Sequence, residues 1–110
     1  MGTDGTGLVR RYYEALDDHA YDDLEVILAP SFVQVRPDRT FEGRDAFVRF
    51  MRDERPMTET THELVAVFGI EERVAAQGRL LDGDGQAVFT FADHFRIEDG
   101  RIARLETYTR

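Results

Sequence analysis

The 110-residue sequence contains no cysteine, which excludes disulfides, thiolate nucleophiles and cysteine-ligated metals or clusters. It contains no lysine either, so all 14 basic residues are arginine. Its single serine, Ser31, sits in no nucleophile-elbow pattern, and serine-hydrolase chemistry is excluded with it. No run approaches the about 18 apolar residues of a membrane span, and the opening MGTDGTG has no apolar signal region. The chain therefore reads as soluble, unexported and cytoplasmic. Histidine is scarce, and His19, His62 and His94 lack metal-ligand spacing, so neither a metal nor another cofactor is expected.

What is present is acid. The 22 Asp and Glu residues leave a formal net charge of −8. A field of that sign repels phosphate backbones, so nucleic acid and anionic membranes are not expected partners. Acidity without lysine suits the hydrated surface of a protein from a very salty cytoplasm, a halophilic expectation about habitat rather than chemistry. The length allows one domain, expected over residues 8–110 behind a flexible segment 1–7. The GTDGTG start follows no strand and reads as no nucleotide loop. Asp82-Gly83-Asp84-Gly85 lacks the remaining acidic ligands of a calcium loop and reads as a hairpin turn.

Hydrophobic periodicity divides the chain in two. Leu8, Val9, Tyr12, Tyr13, Ala15 and Leu16 form a helical stripe, broken by Asp17 and Asp18. A second short helix carries Leu24, Ile27 and Leu28 up to Pro30, and Ser31–Arg36 reads as a strand. A third helix after Gly43 carries Ala46, Phe47, Phe50 and Met51. From His62 the period changes to two, and four strands are expected over 62–70, 73–81, 87–98 and 101–109, the last pair joined by the hairpin signal Asp99-Gly100. The pattern is α+β, with helices covering one face of an antiparallel sheet.

Polar residues on apolar faces mark the candidate site. Ala87, Phe89, Phe91, Asp93, Phe95 and Ile97 share one face of a strand, and Asp93 is the only polar member. A carboxyl group there has either a buried partner or a raised pKa. Tyr12 lies mid-stripe on the first helix, and its hydroxyl needs a partner if buried. His62 begins a face expected to continue through Leu64, Ala66, Phe68 and Ile70, at the rim of an interior cavity. Gln34 and Arg36 share parity with Phe32, which leaves open whether they point inward. The opposite face of the third strand, Val88, Thr90, Ala92 and His94, is mixed and small-sided, suited to a second sheet lying against it.

Four segments carry a family resemblance: LVRRYYEAL, AYDDLEVILAPSFVQV, FEGRDAFVRFM and FADHFRIEDGRIARLETY. In this order they resemble the nuclear-transport-factor-2-like superfamily, in its SnoaL-like and ketosteroid-isomerase-like branch. The resemblance implies a cone-shaped α+β barrel, three N-terminal helices packed in a strongly curved antiparallel sheet around an apolar pocket. It also implies a homodimer joined through the outer sheet face. By position, Tyr12 and Asp93 match the two oxyanion-hole donors of the isomerases, a neutral aspartic acid acting beside a tyrosine. The matching general base is absent, because Arg36 stands where the isomerases have an aspartate, and arginine accepts no proton at neutral pH.

Two functions remain open. One is an isomerase- or cyclase-type enzyme that stabilises the enolate of a small apolar carbonyl compound with Tyr12 and Asp93, His62 moving the proton. Gln34, Arg36, Phe47, Phe50, Phe68, Phe89 and Phe91 would then contact the ligand, Arg36 through a carboxylate or second carbonyl. The other is a non-catalytic small-molecule-binding or dimerisation module in which Arg36 and Asp93 form a structural ion pair.

Overall fold

A computed structural model describes residues 5–110. Residues 1–4 of the expected flexible segment lie outside the described residues. Gly5, in the left-handed region at φ 79°, precedes helix α1 (Thr6–Asp17), which thus begins two residues before Leu8. Val9, Tyr12, Tyr13, Ala15 and Leu16 are buried along it, as the stripe predicts. Helix α2 (Tyr21–Ile27) buries Leu24 and Ile27 and gives way directly to strand β1 (Leu28–Val35). The strand therefore contains Pro30 instead of following it. This is possible because β1 is irregular between Leu28 and Val33, where a residue without an N–H interrupts no ladder.

A short strand β2 (Thr40–Glu42), not expected from the sequence, leads through Gly43 into helix α3 (Arg44–Arg49), which widens into a π-helical turn over Phe50–Glu54. The second half follows the period-two pattern closely. Strands β3 (Thr61–Ile70), β4 (Arg73–Leu81), β5 (Ala87–Glu98) and β6 (Arg101–Thr109) form an antiparallel meander. Asp82 Oδ1 accepts hydrogen bonds from the backbone N–H groups of Asp84 and Gln86, a turn held by its own first residue. At Asp99-Gly100 both residues have positive φ, as the tight hairpin demands.

The sheet corrects the expected cone. Its order is β2-β1-β6-β5-β4-β3, and β1 runs parallel to β6, with Gln34 opposite Leu105. It is an open, mixed six-stranded sheet with β2 and β3 as separate edges, not a barrel or a strongly curled antiparallel cone. The parallel pair follows from connectivity, since α3 and four strands intervene between β1 and β6 and form a long crossover. A three-residue edge strand such as β2 offers little for β3 to close upon.

A second correction concerns β3. A bulge between Leu64 and Ala66 shifts its register against β4, and the alternation changes face there. Phe68 and Ile70, expected inside with His62, are 64% and 78% exposed. Gly78 sits opposite this bulge, so close to the Glu63 carbonyl and the Phe91 ring that a side chain has no room. On β5 the alternation holds from Phe91 onward, with Phe91, Asp93, Phe95 and Ile97 buried and Ala92, Arg96 and Glu98 exposed, whereas Ala87 and Phe89 of the same face are exposed. The core between helices and sheet is apolar and aromatic, centred on Phe32, Phe47 and Phe95.

Candidate functional site

One end of that core is hollow. A cavity of about 350 Å³ lies between α1, the segment from Phe50 to Thr60 and the inner face of the sheet. Its wall includes Tyr12, Tyr13, Gln34, Arg36, Phe50, Met51, Arg55, His62, Phe89, Phe91, Asp93 and Thr107. Most of the expected site residues therefore converge. Phe47 and Phe68 do not: Phe47 is fully buried against Tyr12, Phe32 and Phe41, and the bulge turns Phe68 outward.

Asp93 is 7% exposed at the centre of the aromatic face. Its Oδ2 accepts a 2.6 Å hydrogen bond from the Tyr13 hydroxyl, whereas its Oδ1 is buried with no hydrogen-bond partner. Burial raises the Asp93 pKa above the usual carboxylate value, opposed by the Tyr13 hydroxyl, the neighbouring Thr107 hydroxyl and the charge of His62. Tyr13, which the sequence pattern places only in the helical stripe, is thus the tyrosine bonded to Asp93. Both rings can face inward because adjacent helical residues lie only about 100° apart. Burial and the Asp93 charge also push the Tyr13 hydroxyl far above its ordinary value, so it stays a donor.

Tyr12 is packed edge-on against Tyr13 and Phe95 and stacked with Phe47. Its hydroxyl pKa is raised well above 10.0 by burial and by the charge of Asp93, partly offset by Arg36 and Arg55. It keeps its proton in the field of the same carboxyl group.

His62 sits where β3 begins. Its Nδ1–H donates to Asp17 Oδ1 at 2.6 Å, and its backbone N–H donates to Asp17 Oδ2 at 3.0 Å. An ionised carboxylate only accepts, so Nδ1 carries the proton, and it is Nε2 that holds the lone pair whenever the ring is neutral. The ring lies 5.1 Å from that of Tyr13 and 5.6 Å from that of Phe91. Asp17 was legible in the sequence only as the residue that ends an apolar run.

Arg36 does not reach Asp93. Its guanidinium bonds Asp38 at 3.1 and 3.3 Å and lies over the rings of Phe41 and Phe50. The structural Arg36–Asp93 pair is therefore replaced by a local pair two residues apart. Gln34 points inward with Phe32, its Nε2 donating to Thr107 Oγ1 at 3.0 Å, while its Oε1 is buried and unbonded. Arg55, which no sequence pattern singled out, donates to the Leu16 carbonyl and the Tyr21 hydroxyl. Among the described residues no three acidic or histidine side chains converge as a metal ion requires, and no helix is long and apolar enough to cross a membrane.

A family model of the SnoaL-like domain matches residues 9–105. No curated protein matches the sequence significantly. Among solved structures, the chain is similar to a candidate ketosteroid isomerase from Kribbella flavida, with 18% identity and a TM-score of 0.86 over 97% of this chain and 78% of that one. It is similar to an LEH-like epoxide hydrolase of M. tuberculosis at 16% identity, TM-score 0.84, covering 97% and 83% of the two chains. A candidate polyketide cyclase from Sinorhizobium meliloti aligns at 24% identity, TM-score 0.80, covering 93% and 94%. At these identities the likeness shows the fold alone. The chain belongs to the SnoaL-like domain family.

Proposed function

We propose that this SnoaL-like chain binds a small, largely apolar carbonyl compound in the cavity and promotes its enolisation, as an isomerase or cyclase does. The observation that carries the reading is the state of Asp93. Its Oδ2 is occupied by Tyr13, its Oδ1 is buried without a hydrogen-bond partner, and the residue lines the cavity. In the neutral acid favoured by burial, Oδ1–H donates to the ligand's oxygen. Tyr13 then polarises the acid from behind, and Tyr12 supplies a second protonated hydroxyl.

The proton that leaves the α-carbon goes to His62 Nε2, the lone pair oriented by Asp17. The electron pair of the broken C–H bond moves onto the carbonyl oxygen, between the donors. Return of the proton to a different carbon completes an isomerisation, with no co-reactant. The imidazolium formed in between lies near Asp93, whose charge its own favours.

The test is a pH titration of 2-naphthol binding, followed by absorbance, because a bound naphtholate mimics an enolate. Bound naphthol should ionise below its solution pKa, and affinity should fall as rising pH ionises Asp93. Asp93→Asn should bind more weakly and lose that fall. Absence of bound naphtholate at every pH, or an unchanged profile in Asp93→Asn, overturns the reading. A second reading, binding without turnover, is favoured by Arg36 at the position of the isomerases' base. It predicts naphtholate binding with no catalysed deuterium exchange into 2-tetralone, the ketone with the same skeleton.

A further inference from the structure

Among the described residues, three buried side-chain polar atoms lack a hydrogen-bond partner: Gln34 Oε1, Arg55 Nε and Asp93 Oδ1. All three residues line the same cavity. Buried polar groups are ordinarily satisfied, so three unsatisfied ones around one hollow describe the polarity of what fills it. Asp93 Oδ1 has been accounted for by a carbonyl oxygen. Gln34 Oε1 accepts only, and calls for an O–H or N–H.

Arg55 is the informative member. Arg36, Arg44 and Arg104, the other half-buried arginines, each have a carboxylate partner at 3.1, 3.5 and 3.1 Å. Arg55 has none, only the Leu16 carbonyl, the Tyr21 hydroxyl and the Tyr21 ring 5.9 Å away. In a chain of net charge −8, a half-buried cation without an acid beside it is the exception. Water in the cavity would satisfy its N–H but would not neutralise its charge. An anion does both.

We infer that the cavity takes a small carboxylic acid, an oxo or hydroxy acid with an apolar body, whose carboxylate is held by Arg55 and whose hydroxyl or N–H faces Gln34. Phe50, Met51, Phe89 and Phe91 supply the apolar contact. Arg36, already neutralised by Asp38, adds field at the same end without being the anchor. This names the substrate class for the enolisation proposed above and rests on that reading for the carbonyl alone.

The test compares hydroxynaphthoic acids (the 3-, 5- and 6-hydroxy-2-naphthoates) with their methyl esters on the unaltered protein at fixed pH and salt. At least one acid should bind about tenfold or more tightly than its ester, the size of one added charge-assisted contact. Arg55→Met should bring that ratio close to one, and Arg36→Met should leave most of it. Ratios near one for every isomer overturn the inference without any variant, so a poorly folding Arg55→Met does not shelter it. A preference that survives Arg55→Met but vanishes in Arg36→Met overturns it too. The 2-naphthol profile separates the two claims. A ratio of one beside an Asp93-dependent naphthol profile strikes the carboxylate alone, and the reverse pattern strikes the enolate alone.

Discussion

The two ends of the cavity treat charge in opposite ways. Around Asp93, burial among aromatic rings raises a carboxyl pKa against the opposing pull of the Tyr13 hydroxyl. Around Arg36 and Arg55, two guanidiniums stay charged, one beside an exposed carboxylate and one beside neutral acceptors. The first environment favours a neutral donor and the second favours an anion. A symmetric apolar hollow would orient no ligand, whereas this one distinguishes head from tail.

Removing the donor end should give the largest effect. Asp93→Leu takes away the group that faces the oxygen, and deuterium exchange into 2-tetralone should slow by roughly 10²–10³-fold, the usual cost of one oxyanion donor. Asp93→Asn keeps an N–H donor and an acceptor for Tyr13, so its loss should be smaller. Equal losses in the two variants, measured by NMR, would mean that Asp93 acts as a base and not as a donor.

Between the ends stands His62, whose orientation depends on Asp17. Asp17→Asn offers an amide that can donate to Nδ1, which selects the tautomer with its proton on the wrong nitrogen. Exchange into 2-tetralone should fall by about 10- to 100-fold, more than 2-naphthol binding weakens. Parallel losses in both measurements would reduce Asp17 to a structural strap between α1 and β3.

Legibility in the sequence followed the regularity of the backbone. Period-two alternation on β5 needed only local information, and it placed Asp93 among Phe91, Phe95 and Ile97. The same reasoning failed on β3, where one bulged residue near Val65 reversed the face and carried Phe68 out of the site. No pattern of alternation announces a bulge. The family resemblance singled out Tyr12 as a donor to the ligand and said nothing of Tyr13, because which of two adjacent tyrosines reaches Asp93 depends on the roll of α1 against the sheet. Arg36 went to Asp38, because a carboxylate two residues away is held close by the chain and one across the core is not. Arg55 and Asp17 lie where periodicity stops, at the end of a π-helical turn and of a helix. The parallel pairing of β1 with β6, which makes the sheet mixed, is long-range and leaves no local trace.

The smallest expected effect concerns stability, and it tests the donor end without any ligand. Asp93 has a folded pKa above the ordinary 3.8, chiefly through burial. Between the two values the native state keeps a proton that the unfolded chain has lost, so stability falls as pH rises. The contribution is complete below about pH 3.8 and is lost as pH climbs through the raised folded value. Asparagine has no such proton to lose and still accepts from Tyr13. Asp93→Asn should therefore match the parent protein in acid and exceed it in stability as pH rises toward neutrality. For a domain of this size each kcal/mol corresponds to roughly 4 °C in Tm. Taking the difference between two chains cancels the other carboxylates, which titrate alike in both. A difference independent of pH in thermal melts would mean that Asp93 titrates as an ordinary carboxylate, and the contrast between the two ends of the cavity would collapse.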